Sequence, residues 1–226
     1  MYMKQRSGKM TVFLCVVTIM ASCTKENTFN NGGNLKKEYV DLGLPSGTLW
    51  ATENVGARYS GNVGDFFAWG ETEPKNQYLW SNYKFNDNSY CPMKYTTYES
   101  CGSESDNLST LQTIDDAASV NWGSEWCIPS IAQWEELRDN TTSTAQSLGR
   151  LFIGPNGNSI FLPFNGTYCY SYYWTSSLFI PDVGGQNFQS SQAYAFYFDE
   201  KEIEEDRVTI KSRSLGFSIR PVRRTH

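Results

Sequence analysis

The chain has almost no histidine: its single one, His226, is also its last residue. A Ser-His-Asp triad, a Cys-His pair and an H-E-x-x-H zinc site each need an imidazole held in a pocket, and a chain end holds one poorly. Those chemistries are set aside on composition. Long apolar runs are missing too. The longest extends from Met10 to Ala21, about half of the ~20 residues a helix needs to cross a bilayer. Positive charge is scarce, with 19 Lys and Arg against 24 Asp and Glu. A negative surplus repels phosphate backbones and no basic stripe offsets it, so nucleic acid is not an expected partner. No two cysteines have the short spacing of a zinc knuckle and no EF-hand loop is present, so neither a metal nor a cofactor is expected.

What is present begins at the amino end. Lys4, Arg6 and Lys9 precede the apolar run with no acidic residue among them, and Ala21 and Ser22 follow it. Positive, then apolar, then small is the order of a secretory signal. A cysteine stands directly after the small pair, and "IMASC", Ile19 to Cys23, resembles a bacterial lipobox. That resemblance implies a thioether-linked diacylglycerol on Cys23, cleavage in front of it, and a further acyl chain on the new amino end. One chain gives marginal membrane attachment, whereas two or more give lasting attachment. Residues 1–22 are thus expected to be a lipoprotein signal peptide, and 23–37, rich in Asn and Gly, a flexible tether. The membrane would be reached through lipidated Cys23. "TKE" after the cysteine resembles an export signal, which places the protein in the cell envelope, on the outer membrane and exposed at the surface. Loss of Lys4, Arg6 and Lys9 would leave 16 basic against 24 acidic residues, a formal charge of −8.

Of six cysteines, Cys15 leaves with the signal and Cys23 carries lipid, so Cys91, Cys101, Cys127 and Cys169 are the disulfide candidates. Four allow three pairings. Closeness within one polar loop favours Cys91 with Cys101, leaving Cys127 with Cys169.

Residues 38–224 have the size of one domain. Turn signals separate short stretches rich in aromatic and β-branched residues, the pattern of strands. "EYVDLGL" and "TLWATENV" flank Pro45 to Gly47; "RLFIG" and "SIFLPF" flank Pro155 to Asn158; "QAYAFYFD", "RVTIK" and "FSIRPVR" form a third set. Two helices interrupt them. Thr113 stands three residues before Asp116, and Ser130 three before Gln133, both in capping-box form. In the second helix Ile131, Trp134 and Leu137 share one face, while Glu135, Glu136 and Asp139 point elsewhere. The least structured stretch is expected from Asn86 to Ser109. The fold class is α+β, mainly antiparallel strands with two short helices.

Several phrases together resemble the Fibrobacter succinogenes major paralogous domain family: "YVDLGLPSGTLWATENVGA" (39–57), "GDFFAWGETEPK" (64–75), "DDAASVNWGSEWCIPSIAQWEEL" (115–137), "NGNSIFLPFNG" (156–166), "YYWTSS" (172–177) and "LGFSIRPVR" (215–223). They cover nearly the whole domain in one order. The resemblance implies a C-type-lectin-like domain, of the group that includes formylglycine-generating enzymes, with its terminal strands paired. Here that would place "EYVDLGL" against "FSIRPVR". One departure is Cys127, where the family pattern leads one to expect a basic residue. It leaves room for the bridge to Cys169. The family name implies no activity.

Candidate chemistry is thin. Asp115 and Asp116 fall at a helix start, where carboxylates offset the dipole, and Glu135 and Glu136 on a solvent face. "DEKEIEED" (199–206) reads as a solvated hairpin tip, and "EPKN" (73–76) is a distant echo of lectin calcium phrases. The formylglycine reaction uses a close cysteine pair, and Cys169 has no sequence neighbour of its kind. Aromatics are more telling. "TYCYSYYW" crowds Tyr168, Tyr170, Tyr172, Tyr173 and Trp174 ahead of the polar run 184–192. Tyrosine offers stiff, half-polar contact area at small entropic cost, and flat rings suit sugars. Tyr168, Tyr170, Tyr172, Asn187 and Gln189 are the candidate ligand-binding residues, with Tyr173 and Trp174 as readily core. The expectation is a non-catalytic surface module for binding or adhesion, recognising a glycan or a surface protein. Two other readings differ in what they require. An envelope enzyme, a carboxylate-based glycan hydrolase or a cysteine-dependent oxidase, needs two carboxyls across a deep cleft or two close free thiols. A structural subunit of a surface appendage needs its aromatics against another protein.

Overall fold

Short strands form where alternation is clean, and the hairpins fall at the expected turns. In the computed structural model, which describes residues 37–86, 92–97, 105–165, 169–180, 191–201 and 207–224, β1 (Tyr39–Asp41) and β2 (Leu49–Ala51) pair antiparallel with Val40 opposite Trp50. The turn closes through the Gly47 amide donating to the Leu44 carbonyl, with Gly47 at a φ of 71° that glycine adopts without strain. β3 (Trp126–Cys127) and β10 (Val222–Arg223) complete a four-stranded sheet in the order β1-β2-β10-β3.

That order corrects the expected pairing of terminal strands. β1 pairs only with β2, and β10 lies between β2 and β3, Val222 facing Trp50 on one side and Cys127 on the other. Burial explains the choice. β2 carries the fully buried Trp50 and Ala51, so it belongs beside the equally buried Val222, while Tyr39 and Asp41 of β1 are exposed and suit an edge.

Two helices follow the expectation in number and differ in one cap. α1 (Ala117–Trp122) is capped by Asp116, whose carboxylate accepts from the Ser119 amide, because Thr113–Asp115 forms a 3-10 turn of its own. α2 (Ile131–Asn140) carries the expected capping box of Ser130 and Gln133, and buries Trp134 and Leu137. Two antiparallel meanders finish the fold: β4 (Thr142–Gln146), β5 (Gly149–Ile153) and β6 (Ser159–Pro163), then β7 (Tyr170–Leu178), β8 (Gln192–Asp199) and β9 (Arg207–Ser212). β7 carries the aromatic cluster as an antiparallel strand, bulged between Trp174 and Leu178.

β7 joins two cores. Successive side chains leave a strand on opposite faces, so Tyr173 enters a cluster with Trp50, Trp134, Phe152, Phe196 and Phe198, and Trp174 enters another with Trp69, Trp126 and Ile219. Trp134 of α2 stacks on Phe196 at 4.6 Å and 10°. The carboxyl-terminal stretch threads between these parts. Phe217 bridges Phe67, Ser218 bridges Tyr173, and fully buried Arg220 donates to Asn54 Oδ1, Ala51 O and Phe161 O at 2.8, 3.0 and 2.9 Å. Burial pulls the Arg220 pKa down to about 10, and the fork still reaches three acceptors, two on the 51–54 stretch and one on β6. The described residues belong to one compact unit. Within the expected irregular stretch, Tyr95 is fully buried and its amide donates to Asp106.

Candidate functional site

The burial of β7 alternates at its first residues: Tyr170 is exposed, Ser171 buried, Tyr172 half-buried, Tyr173 buried. Its register against β8 sets Tyr172 opposite Tyr197 and Tyr170 opposite Asp199, so Tyr197 joins the outward rings. Ring centroids are 5.8 Å apart for Tyr170 and Tyr172, 5.0 Å for Tyr172 and Tyr197, and 6.2 Å for Tyr170 and Tyr197. Beneath them Phe217 stacks on Tyr172 at 4.9 Å and 24°, and lies 4.5 Å from buried Trp174. A continuous aromatic column therefore runs from surface to core, and Trp174 fixes its foot by donating from Nε1 to the Phe67 carbonyl at 2.7 Å.

Cations border this face. The Lys211 ammonium lies 4.3 Å above the Tyr172 ring, and the Arg207 guanidinium 5.1 Å from the Tyr197 ring. The small side chains of Ala193 and Ala195 on β8 leave room for Lys211 and Tyr172 to lean across the strand. The Tyr197 hydroxyl donates to Asp199 Oδ2 at 3.0 Å; burial, then that hydrogen bond and the Asp199 charge, push its pKa up to about 12.

Of the residues expected to contact a ligand, Tyr170 and Tyr172 are brought together here. Tyr168, Asn187 and Gln189 lie outside the described residues, as do Cys23, Cys91 and Cys101. Tyr197, Phe217 and Lys211 were missed. The alternation of "QAYAFYFD" does set Tyr197 on one face of its strand, but which face meets Tyr172 depends on register, which sequence alone leaves open.

A second feature is concave. A cleft of about 430 Å³ is lined by Glu71, Thr72, Glu73, Pro74, Lys75, Asn82 and Lys84. Its polar groups are largely engaged with one another: Lys75 Nζ meets Glu71 Oε2 at 2.7 Å and the Asn82 carbonyl at 3.0 Å, and the Lys84 amide donates to Glu71 Oε1. Lys84 Nζ turns to Asp115, which also accepts from Lys94 Nζ and the Tyr95 hydroxyl. Burial raises the Asp115 pKa, but the hydrogen bonds from Lys84, Lys94 and Tyr95 outweigh it and hold the carboxyl below the ordinary range. Asp116, next in sequence, goes the other way, since burial there outweighs the amides of Ser119 and Ile128. Both had been read as a helix-start pair offsetting one dipole; only Asp116 has that place.

The expected bridge between Cys127 and Cys169 is not formed, and both thiols are free. Cys127 sits on β3 with its sulfur 3.8 Å from the Val222 carbonyl, whereas Cys169 is exposed just before β7, in another sheet. Burial, then the Asp116 charge, raise the Cys127 pKa to about 11, and a hydrogen bond to Glu200 raises that of Cys169. A thiolate is the reactive form, so both environments disfavour nucleophilic chemistry. Among the described residues no three His, Cys, Asp or Glu side chains converge as metal ligands.

No family model, curated protein or solved structure matches this chain. The site therefore has to be read from its own atoms.

Proposed function

We propose that this protein is a lipid-anchored module of the cell surface that binds a glycan or protein partner through its tyrosine face and performs no reaction. The observation that carries this reading is the grouping of Tyr170, Tyr172 and Tyr197 within 6.2 Å of one another on two paired strands. Such rings give broad contact area, and here packing rather than binding has already spent their rotamer freedom, which favours affinity. The free thiols support the non-catalytic part, since both are held in their unreactive form. A C-type-lectin-like architecture and kinship with the major paralogous domains belong to the same proposal. They rest on the phrases quoted above and agree with the antiparallel sheets and two short helices.

The test is a glycan array together with a pull-down from surface extracts, using the wild type and Tyr170→Ala, Tyr172→Ala and Tyr197→Ala. Each substitution at a stacking ring should weaken binding by roughly 1–2 kcal/mol, that is five- to thirtyfold. Binding that all three leave intact would move the site away from this face.

A further inference from the structure

We infer that the tyrosine face is built for an acidic glycan, one whose sugar rings lie on Tyr170, Tyr172 and Tyr197 while a carboxylate or sulfate meets the Lys211 ammonium. The inference rests on the binding reading above and narrows it to a ligand class.

Lys211 is the ground for it. Among the described residues no carboxylate pairs with its ammonium, and the Tyr172 ring lies 4.3 Å below it. Every other lysine whose ammonium lies over a ring in this structure also has an acid partner: Lys37 has Glu53, Lys75 has Glu71, and Lys84 and Lys94 share Asp115. In a chain with more acidic than basic residues, an ammonium left without a carboxylate on an aromatic platform is out of pattern. Its charge is available to a ligand, and the ring beneath it holds it in place.

The other charges on the face divide by position. Arg207 lies over Tyr197, on the edge strand. Asp199 lies at the Tyr170 end, and its oxygens already accept from the Tyr197 hydroxyl and the Lys201 amide. Glu200 follows it, hydrogen-bonded to the Cys169 thiol. Positive charge thus borders Tyr172, and Tyr197 lies between the Arg207 guanidinium and the Asp199 carboxylate. With the Asp199 oxygens already occupied, the fit is to a chain whose carboxylates sit beside sugar ring faces, as in a polyuronate. A neutral glycan could use the rings and accept hydrogen bonds from Lys211, but without the charge-assisted contact that an acid makes.

The experiment uses the full chain in detergent, titrated with an oligogalacturonate and with its methyl ester, which keeps the ring faces and loses the charge. One charge-assisted contact discriminates by about tenfold, and the advantage should shrink as salt is raised. Lys211→Ala should bring the acid down to the affinity of the ester, and Lys211→Arg should keep the preference. Equal affinity for acid and ester, or a preference that survives Lys211→Ala, overturns the inference while leaving the tyrosine reading in place. Binding of neutral glycans alone does the same. Failure of every glycan, acidic or neutral, would also overturn the inference, and the pull-down with the three tyrosine variants then decides the binding reading.

Discussion

Two neighbouring carboxyls show how far one residue's surroundings outrun its place in sequence. Asp115 and Asp116 look alike as letters, yet their pKa values move in opposite directions because one meets two lysines and a tyrosine hydroxyl and the other is buried against amides. The consequence for stability has a sign at each. With the Asp115 pKa lowered on folding, the unfolded chain takes the proton first as pH falls below about 4, so its contribution is present above that range and lost below it. With the Asp116 pKa raised, the folded chain holds the proton more firmly, so its contribution is present at low pH and lost as pH rises through its shifted value. Urea unfolding of Asp115→Asn and Asp116→Asn from pH 3 to 7 should therefore diverge. The first substitution should cost about 2 kcal/mol at pH 7, discounted for the partly exposed lysines, and less at pH 3. The second should cost least at pH 7, since asparagine still caps the helix and no longer carries the buried charge. Parallel profiles would mean that the two carboxyls share one environment.

At the scale of elements, legibility followed local chemistry. The hairpins at Pro45–Gly47 and Pro155–Asn158 and the Ser130–Gln133 cap were readable because the residues that make them are adjacent. Thr113 and Asp116 carry the same pattern as Ser130 and Gln133, but long-range bonds to Lys84 and Lys94 hold Asp115 in a separate turn and hand the cap to Asp116. β4, "TSTAQ", was missed because it buries only Ser143 and shows no apolar alternation. The aromatic crowding of β7 was visible, yet its division between core and surface came from strand alternation and register. Docking of one element on another was not legible at all. The β5–β6 hairpin is held to β1 by Asn156 and Asn158, whose amides both donate to the Asp41 carbonyl, at 2.9 and 2.8 Å. Gly154 makes that approach possible, since a methyl group there would fall 2.0 Å from the Leu42 carbonyl oxygen. Gly154→Ala should cost ~2–3 kcal/mol by forcing backbone apart. Gly157→Ala, at a φ of 84° with nothing within 4 Å, should cost only about 1 kcal/mol of backbone strain. Denaturation midpoints that rank the two the other way would remove the close approach as the cause.

For the whole molecule the question is how a binding face is held toward its ligand. The described chain starts at the four-stranded sheet: Lys37 Nζ bonds Glu53 at 2.7 Å and lies over Trp122, and Tyr39 meets Trp126 edge-on. The tyrosine face belongs to a different sheet, β7-β8-β9. The first described residues thus lie on one sheet and the tyrosine face on another. On the proposed reading, the lipid at Cys23 and the rings at Tyr170, Tyr172 and Tyr197 are separable functions. Cys23→Ala should abolish incorporation of labelled fatty acid and send the protein from the detergent to the aqueous phase on phase separation, because one short apolar run of about half a bilayer's span gives no lasting hold by itself. Glycan affinity of the released protein should stay within about twofold of the anchored form, the spread expected for distant independent sites. Continued partition of Cys23→Ala into detergent would refute the lipid anchor, and loss of glycan affinity in the released protein would show that anchor and binding face depend on each other.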